Sequence, residues 1–169
     1  AENSARTNPK LYPAAKDTEA VSEYKNQPYV TIAPASVWFT KQFPVEKWIE
    51  LINQIPNKIT VYLIGAKGDS AIADQIIAHS KREVISLTGK LKLLHLASAV
   101  NAPITEVFCS TVPEFGFTPL SENSTIIQTE EQLDCRPCGM HGKSVCPKGH
   151  FKCAHGINVK ELISTVQAV

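Results

Sequence analysis

Residues 29–52 read YVTIAPASVWFTKQFPVEKWIELI, and this stretch decides the fold. Its first part, Tyr29 to Ala33, is a short apolar segment typical of a buried strand, and residues 48–52 have the apolar spacing of a helix. Between them lies a loop of small and hydroxyl residues with one lysine, Lys41. In parallel α/β sheets, backbone N–H groups and a helix N-terminus bind anions at such a loop. An ordinary strand–loop–helix with a solvated lysine satisfies the same pattern.

The rest of the chain alternates between short apolar runs and helical segments. We predict further strands at 59–64, 84–87, 104–109 and 126–127. We also predict helices that begin at Asp69, at Leu96 and at Val159. Such alternation is typical of a parallel sheet with right-handed crossovers. The predicted fold class is therefore α/β, a Rossmann-like parallel sheet with helices on both faces.

The composition indicates one domain with a short leading segment. Residues 1–27 are polar and are predicted to be a linker with one short helix that Asp17 caps, and residues 28–169 are predicted to be the domain. The net charge of +1 argues against a dedicated nucleic-acid binder. No apolar run reaches the roughly 18 residues that span a bilayer, and the polar first ten residues do not predict a signal peptide. We expect a cytoplasmic protein without a transmembrane segment.

Three loops after predicted strands contain the candidate site residues. The first contains Ser36, Thr40 and Lys41. The second begins at Gly65 and ends at Asp69, whose carboxylate has two plausible roles, to bind a ribose hydroxyl or to cap the following helix. The third begins at His95, which precedes a small-residue helix. His95 is either a hydrogen-bond donor to a phosphate or an ordinary surface histidine. The glycine pattern is not G-x-G-x-x-G, so a nicotinamide site is not supported.

Four of the five cysteines lie in a loop at residues 135–153. They are Cys135, Cys138, Cys146 and Cys153. Four thiolates can bind a structural zinc ion, but only one pair has the tight Cys-x2-Cys spacing. Disulfides and reduced, packed thiols stay open as alternatives, and the odd count favours a reducing compartment.

The order of these motifs resembles one known family. From Tyr29 to Val169 the chain is similar to the C-terminal half of glycosyltransferase family 9, the bacterial lipopolysaccharide heptosyltransferases. The resemblance depends on five blocks: IAPAS (32–36) with KQFP (41–44) and KW (47–48); LIG (63–65) with Asp69; LTGK (87–90); HLASA (95–99); and CRPCG (135–139) with CP (146–147) and Cys153.

The resemblance implies one half of a GT-B enzyme, in which two Rossmann-like domains enclose the active site. By position, Lys41 is expected to contact the donor's phosphates or sugar and to be the catalytic residue, because a lysine there offsets charge on the leaving nucleoside diphosphate. Ser36, Thr40 and Gly65 are expected to line the same pocket. Asp69 is expected to bind the ribose. His95 matches the last residue of the family's Asp-Ser/Thr-Gly/Ala-x-x-His motif.

Two departures from the family pattern matter. That motif is missing apart from His95, since Leu94 is followed at once by His95. A chain truly joined there would lose a strand from the middle of the sheet, so we hypothesise that residues are missing from the sequence between the two. A direct bond requires their Cα atoms to lie about 3.8 Å apart. The acceptor-binding N-terminal domain, which holds the family's proposed general base, is expected to be either absent or unrecorded in this sequence.

The resemblance therefore implies the donor-binding part of an inverting, metal-independent glycosyltransferase. It would transfer a heptose from ADP-heptose to the lipopolysaccharide inner core at the inner membrane face, and this chain alone would be inactive. No cofactor is required, and a structural zinc ion at the four cysteines is the one metal considered. The alternative is a non-catalytic nucleotide- or metal-binding α/β module with a cysteine-rich staple.

Overall fold

The computed structural model describes residues 12–90 and 102–167. Its strands are β1 Tyr29–Ile32, β2 Thr60–Leu63, β3 Ile85–Ser86, β4 Ile104–Phe108 and β5 Ser124–Gln128. Its α-helices are α1 Ala15–Ala20, α2 Val45–Gln54, α3 Ser70–His79, α4 Lys152–His155 and α5 Val159–Gln167.

All five predicted strands are present, and the largest difference is at the last, which is longer than predicted. Three predicted helices are confirmed as α2, α3 and α5. Asp17 was predicted to cap the first helix, which is wrong, because α1 begins at Ala15 and Asp17 lies inside it. The helix predicted from Leu96 lies outside the described residues.

All strand pairs in the described part of the chain are parallel, which confirms the predicted α/β class. β1, β2 and β3 form one sheet in that order, and β4 pairs with β5 in a second. The register places Ile32 opposite Leu63, so that both strands end at the same edge. The loops that follow β1 and β2 therefore leave the sheet on the same side.

The predicted single sheet is divided in two among the described residues. β1 is the outer strand of its sheet, and β4 has β5 as its partner, so no ladder joins β1 to β4. Along the chain, the boundary between the two sheets lies between β3 and β4, the interval that contains Leu94 and His95. The predicted junction itself, Leu94 to His95, lies outside the described residues, so its Cα separation stays untested.

One hydrophobic core nevertheless extends across both sheets. Helix α2 packs against α3 and α5, and its residue Ile52 is fully buried. Ile32 from the first sheet and Ile127 from the second belong to the same buried cluster. Such burial, at roughly 25 cal/mol per Å² of apolar surface, is what stabilises the domain.

The other face of the first sheet is covered by the segment before β1. Because side chains alternate along a strand, Tyr62 points away from Val61 and Leu63, its neighbours in the core. Its ring packs edge-on against Tyr24, with ring centroids 5.6 Å apart. Tyr24 belongs to a 3-10 turn, Ser22–Lys25, so the predicted linker packs on the domain.

Candidate functional site

Three loops meet at Thr40, which follows β1. The Thr40 N–H donates to the carbonyl of Lys143 at 3.0 Å, and the Thr40 carbonyl accepts from the N–H of Ser110 at 3.2 Å. Its hydroxyl oxygen accepts from the N–H of Lys143 at 2.7 Å and from the Ser110 hydroxyl at 3.0 Å. Thr40 is completely buried. It therefore joins the β1–α2 loop, the loop after β4 and the cysteine-rich loop, and as placed it does not line an open pocket.

Lys41 lies beside this junction, beneath the cysteine-rich loop. Gly142 stands over it so closely that an added Cβ would lie 2.9 Å from Lys41 Cγ. The Lys41 ammonium lies 5.5 Å from the ring centroid of Phe117, within the range of a cation–π contact. In the part of the chain that the structure describes, the Lys41 ammonium forms no salt bridge. A partly buried cation with no salt-bridge partner suits an anionic ligand.

Glu106 is a neighbour of Lys41 that the sequence prediction missed. It lies in the middle of β4, where its Oε2 is buried and has no hydrogen-bond partner among the described residues. Burial raises the pKa of its carboxyl to about 7, while the charge of Lys41 lowers it. The sequence of β4 is ITEVF, in which a glutamate interrupts the apolar residues. That interruption was the sequence signal that could have identified Glu106.

Ser36 and the loop around it are held by a side chain from the same loop. The carbonyl of Ser36 accepts a hydrogen bond from Gln42 Nε2 at 2.7 Å, and Ser36 is half-buried. The bond fixes the backbone between β1 and α2. It thereby helps to hold the backbone around Lys41.

Gly65 and Asp69 follow β2 and form a tight turn together. Asp69 Oδ2 accepts a hydrogen bond from the N–H of Ala66 at 2.7 Å, and the N–H of Asp69 returns one to the Ala66 carbonyl at 3.0 Å. A Cβ at Gly65 would lie 2.7 Å from that same Oδ2. One carboxylate oxygen of Asp69 thus holds the turn at Ala66, whereas the predicted side-chain cap of the following helix is wrong, because the Asp69 side chain forms no cap hydrogen bond with α3. A ribose contact through the other oxygen stays a prediction.

The strand register brings the Lys41 and Asp69 loops to the same edge of the sheet. His95, the third predicted residue, lies outside the described residues. Two shallow depressions, of about 290 and 250 Å³, are lined by residues around Glu131 and around Phe43, and neither is lined by Lys41 or Asp69.

The cysteine-rich loop is fixed to β4 by Arg136. Its guanidinium donates to the carbonyls of Cys109 at 2.9 Å, Thr111 at 2.8 Å and Phe108 at 3.3 Å. It also donates to the side chain of Gln128 on β5 at 2.7 Å. Four acceptors for one guanidinium hold the start of the loop against the second sheet.

All five cysteines are free thiols. Burial, together with the nearby thiols of Cys138, Cys146 and Cys135, raises the pKa of Cys153 to about 11, while Arg136 opposes the rise. Among the described residues, however, no group of three or more His, Cys, Asp or Glu side chains is placed to hold a metal ion. A structural zinc ion at the four loop cysteines stays a prediction.

Two aromatic residues after β1 are partly exposed. Phe39 packs against Phe151 with ring centroids 5.2 Å apart and keeps 46% of its surface exposed. Trp38 keeps 41% of its surface exposed.

Comparison with known proteins identifies a family whose model matches this chain. The model of the family "Glycosyltransferase family 9 (heptosyltransferase)" matches residues 3–94, more than half of the chain. The match ends at Leu94, the residue where the sequence pattern breaks. The comparison with curated proteins finds no match. No helix in the described ranges is long and apolar enough to cross a bilayer.

Three solved structures share the fold. ADP-heptose LPS heptosyltransferase II of E. coli is 17% identical with a TM-score of 0.72, and the alignment covers 94% of this chain and 52% of that one. A family 9 glycosyl transferase from Veillonella parvula DSM 2008 is 15% identical with a TM-score of 0.69, over 89% and 49%. E. coli heptosyltransferase WaaC with ADP is 17% identical with a TM-score of 0.53, over 88% and 48%.

The chain thus spans about half the length of these structures. The family match over residues 3–94, together with a parallel α/β fold in which Lys41 follows the first strand, leads to one assignment: the chain belongs to glycosyltransferase family 9.

Proposed function

We propose that this chain is mainly the donor-binding part of a glycosyltransferase that transfers heptose from ADP-heptose to the lipopolysaccharide inner core. The observation that supports this most directly is the placement of Lys41. It follows β1 at the carboxyl edge of a parallel sheet, where such folds bind ligands. It has no salt-bridge partner among the described residues and is covered by Gly142.

In the proposed reaction, an acceptor hydroxyl attacks the anomeric carbon of the sugar, with inversion, and ADP leaves. Negative charge grows on the diphosphate as the bond breaks. The Lys41 ammonium is proposed to stabilise that charge, which is the role of a fixed cation in such a transition state. Proton removal from the acceptor is assigned to no residue of this chain, and we therefore expect the chain alone to bind the donor without transferring sugar.

Other residues are proposed to shape the donor site. Ser36 and Gly65 lie in the loops after β1 and β2, and the backbone of these loops is proposed to approach the donor. Asp69 is proposed to use the carboxylate oxygen that does not cap the turn for a ribose hydroxyl. His95 is proposed to contact the diphosphate. Thr40, being buried, is proposed to act on the site through the backbone it holds.

The proposed partners and location follow from the reaction. The acceptor is a lipid-linked core sugar at the inner face of the inner membrane, so we propose a cytoplasmic protein that associates peripherally with that face. No cofactor is assigned to the reaction, and zinc at the four loop cysteines remains a structural prediction.

Calorimetry with ADP tests the donor site. We expect wild type to bind and Lys41→Ala to weaken binding by roughly 1–3 kcal/mol, which is the size of a charge-assisted contact. Lys58→Ala is the matched control, because Lys58 is exposed just before β2, at the opposite edge of the sheet. Equal affinity of Lys41→Ala and wild type would contradict the assignment of Lys41.

The alternative function is a non-catalytic module with a cysteine-rich staple. It is favoured by the divided sheet and by the tight attachment of the cysteine-rich loop through Arg136. Absence of ADP binding, together with zinc retained at one ion per chain, would support this alternative and contradict the donor-binding function.

A further inference from the structure

We infer that Phe117 is a positioning residue for Lys41: its ring holds the lysine ammonium in the orientation that receives the donor diphosphate. This rests on the proposed function, because the diphosphate is the ligand that the ammonium is proposed to bind. Neither the predicted site residues nor the blocks of family resemblance include Phe117.

Phe117 belongs to the loop between β4 and β5, in the second sheet. This loop contains a 3-10 turn, Pro113–Phe115, and the N–H of Gly116 donates to the Pro113 carbonyl at 2.9 Å. Gly116 has a φ of +83°, a left-handed conformation that suits glycine and turns the chain directly before Phe117. Because Phe117 keeps 48% of its surface exposed, this turn determines where its ring lies more than burial in the core does.

The ring of Phe117 faces two of the loops that meet at Thr40. The Lys41 ammonium, from the β1–α2 loop, lies 5.5 Å from the centroid of the ring. The ring of His141, from the cysteine-rich loop, has its centroid 6.5 Å from that of Phe117. An ammonium within about 6 Å of a ring centroid is attracted by the negative face of the ring. The contact therefore joins the tip of Lys41 to the second sheet.

Lys41 is restrained at three places along its length. Its backbone follows Thr40, whose main chain is bonded to two loops, and Gly142 stands over its Cγ. The ammonium forms neither a hydrogen bond nor a salt bridge with the residues that the structure describes, and its direct contact there is with the ring of Phe117. The ring thus restrains the part of the side chain that Thr40 and Gly142 do not reach.

Such a restraint increases the affinity for a ligand that binds the ammonium where the ring holds it. A lysine side chain samples many rotamers, and ordering it on binding has an entropy cost. When only a fraction of the protein is competent to bind, the apparent dissociation constant rises in inverse proportion to that fraction. An exposed cation–π contact is strong enough to change the fraction about two- to fivefold. We place the diphosphate on the side of the ammonium away from the ring, so that the contact persists in the complex.

The experiment measures the ADP affinity of wild type, Phe117→Leu and Phe117→Trp by calorimetry. Leucine keeps the apolar character without a ring, and tryptophan has the ring that attracts cations most strongly. We expect Phe117→Leu to weaken binding about two- to fivefold and Phe117→Trp to bind at least as tightly as wild type. Tighter binding by Phe117→Leu would show that the ring competes with the diphosphate. That result, or equal affinity of all three proteins, would overturn the inference.

Two controls separate the positioning of the lysine from a general effect on the surface. Phe39→Leu is the matched variant, because Phe39 is 46% exposed in the loop after β1 and packs on Phe151. We expect Phe39→Leu to leave ADP affinity unchanged. In a Lys41→Met background, where the cation is gone, Phe117→Leu should have no further effect. Equal losses in the two leucine variants, or a loss that persists without the cation, would contradict the positioning role.

A second measurement does not depend on ADP. The Cε methylene protons of Lys41 are observed by NMR in wild type and in Phe117→Leu. Protons over the face of an aromatic ring are shifted upfield, so we expect an upfield shift in wild type that Phe117→Leu removes. An unchanged shift would overturn the inference. If ADP does not bind to wild type, the donor-binding function is contradicted, whereas the NMR comparison still decides whether the ring holds the ammonium.

Discussion

At the scale of single residues, the surroundings of Lys41 depend on side chains that are distant in sequence. Thr40 was predicted to line the pocket and is instead a buried junction, because its role depends on Ser110 and Lys143. Lys41 itself was a candidate because a lone cation in a small-residue loop is visible in the sequence. Glu106 was missed because its burial depends on tertiary contacts.

Gly142 gives a test of how tightly the cysteine-rich loop covers Lys41. Its φ is +80°, and an added Cβ would lie 2.9 Å from Lys41 Cγ and 3.0 Å from Thr40 Oγ1. Gly142→Ala should therefore displace the loop or the lysine, lowering both the melting temperature and ADP affinity. Gly139→Ala is the control, because Gly139 has a φ of +79° with open space around it.

Both variants incur the cost of a left-handed alanine, about 1–2 kcal/mol. Only Gly142→Ala adds the steric clash. Equal losses of stability in the two variants would mean that the loop does not press on Lys41.

Glu106 should also make folding stability depend on pH. Burial raises its pKa from the ordinary value of 4.5 to about 7, so the folded state binds more protons than the unfolded state between these pH values. The contribution of Glu106 to the free energy of unfolding is therefore fully present below pH 4.5 and is lost as the pH rises to 7. Chemical denaturation at pH 5 and pH 7.5 should show a smaller fall in unfolding free energy for Glu106→Gln than for wild type. An identical fall would exclude this contribution.

At the scale of elements, the sequence predicted the strands and the long helices well. Each has a local signal, such as the β-branched run that became β2 or the apolar stripe of α2. The short helix α4 was not predicted, because its four residues are too few for a periodic pattern and follow Phe151, whose φ is +42°. Elements that depend on tertiary contacts have little signal in the local sequence.

The cysteine-rich loop is the element whose chemistry is most easily measured. We expect five free thiols per chain when the protein is alkylated in denaturant without a reductant. In the native state Cys109 and Cys153 should react slowly, because they are buried and burial raises their pKa values to about 12 and 11. Cys135 should react quickly, and Cys135→Ser should remove one fast-reacting thiol.

Three outcomes are distinguishable in that experiment. Five thiols without metal agree with the structure. Fewer than five would indicate a disulfide. Zinc released at one equivalent by a thiol reagent would show that the loop closes around a metal, contrary to the placement of the thiols here.

At the scale of the whole molecule, the class of fold was predictable and the continuity of the sheet was not. Alternation of strands and helices is sufficient to predict parallel pairing. Whether β1 and β4 are neighbours depends on what lies between them, and the pattern around Leu94 could indicate only that something was missing. The described residues form two sheets, and the hypothesis that residues are missing after Leu94 stays untested.

The shared core predicts that the two sheets unfold together. Ile52 on α2 is fully buried, and Ile127 on β5 is 3% exposed in the same cluster. Truncation of either to alanine should cost about 2–5 kcal/mol and should lower one common melting transition. Ile126→Ala is the control, because Ile126 is the neighbour of Ile127 and is 37% exposed. Two separate transitions in scanning calorimetry would show that the sheets are independent units.

The main chain of Thr40 has a consequence for how precisely a ligand can be held. Its N–H and its carbonyl bond to loops from opposite directions, to Lys143 on one side and Ser110 on the other. The two sheets cannot shear past each other without breaking those bonds. The backbone of the next residue, Lys41, is therefore anchored before any ligand arrives, and only the flexible end of the lysine has to lose entropy on binding.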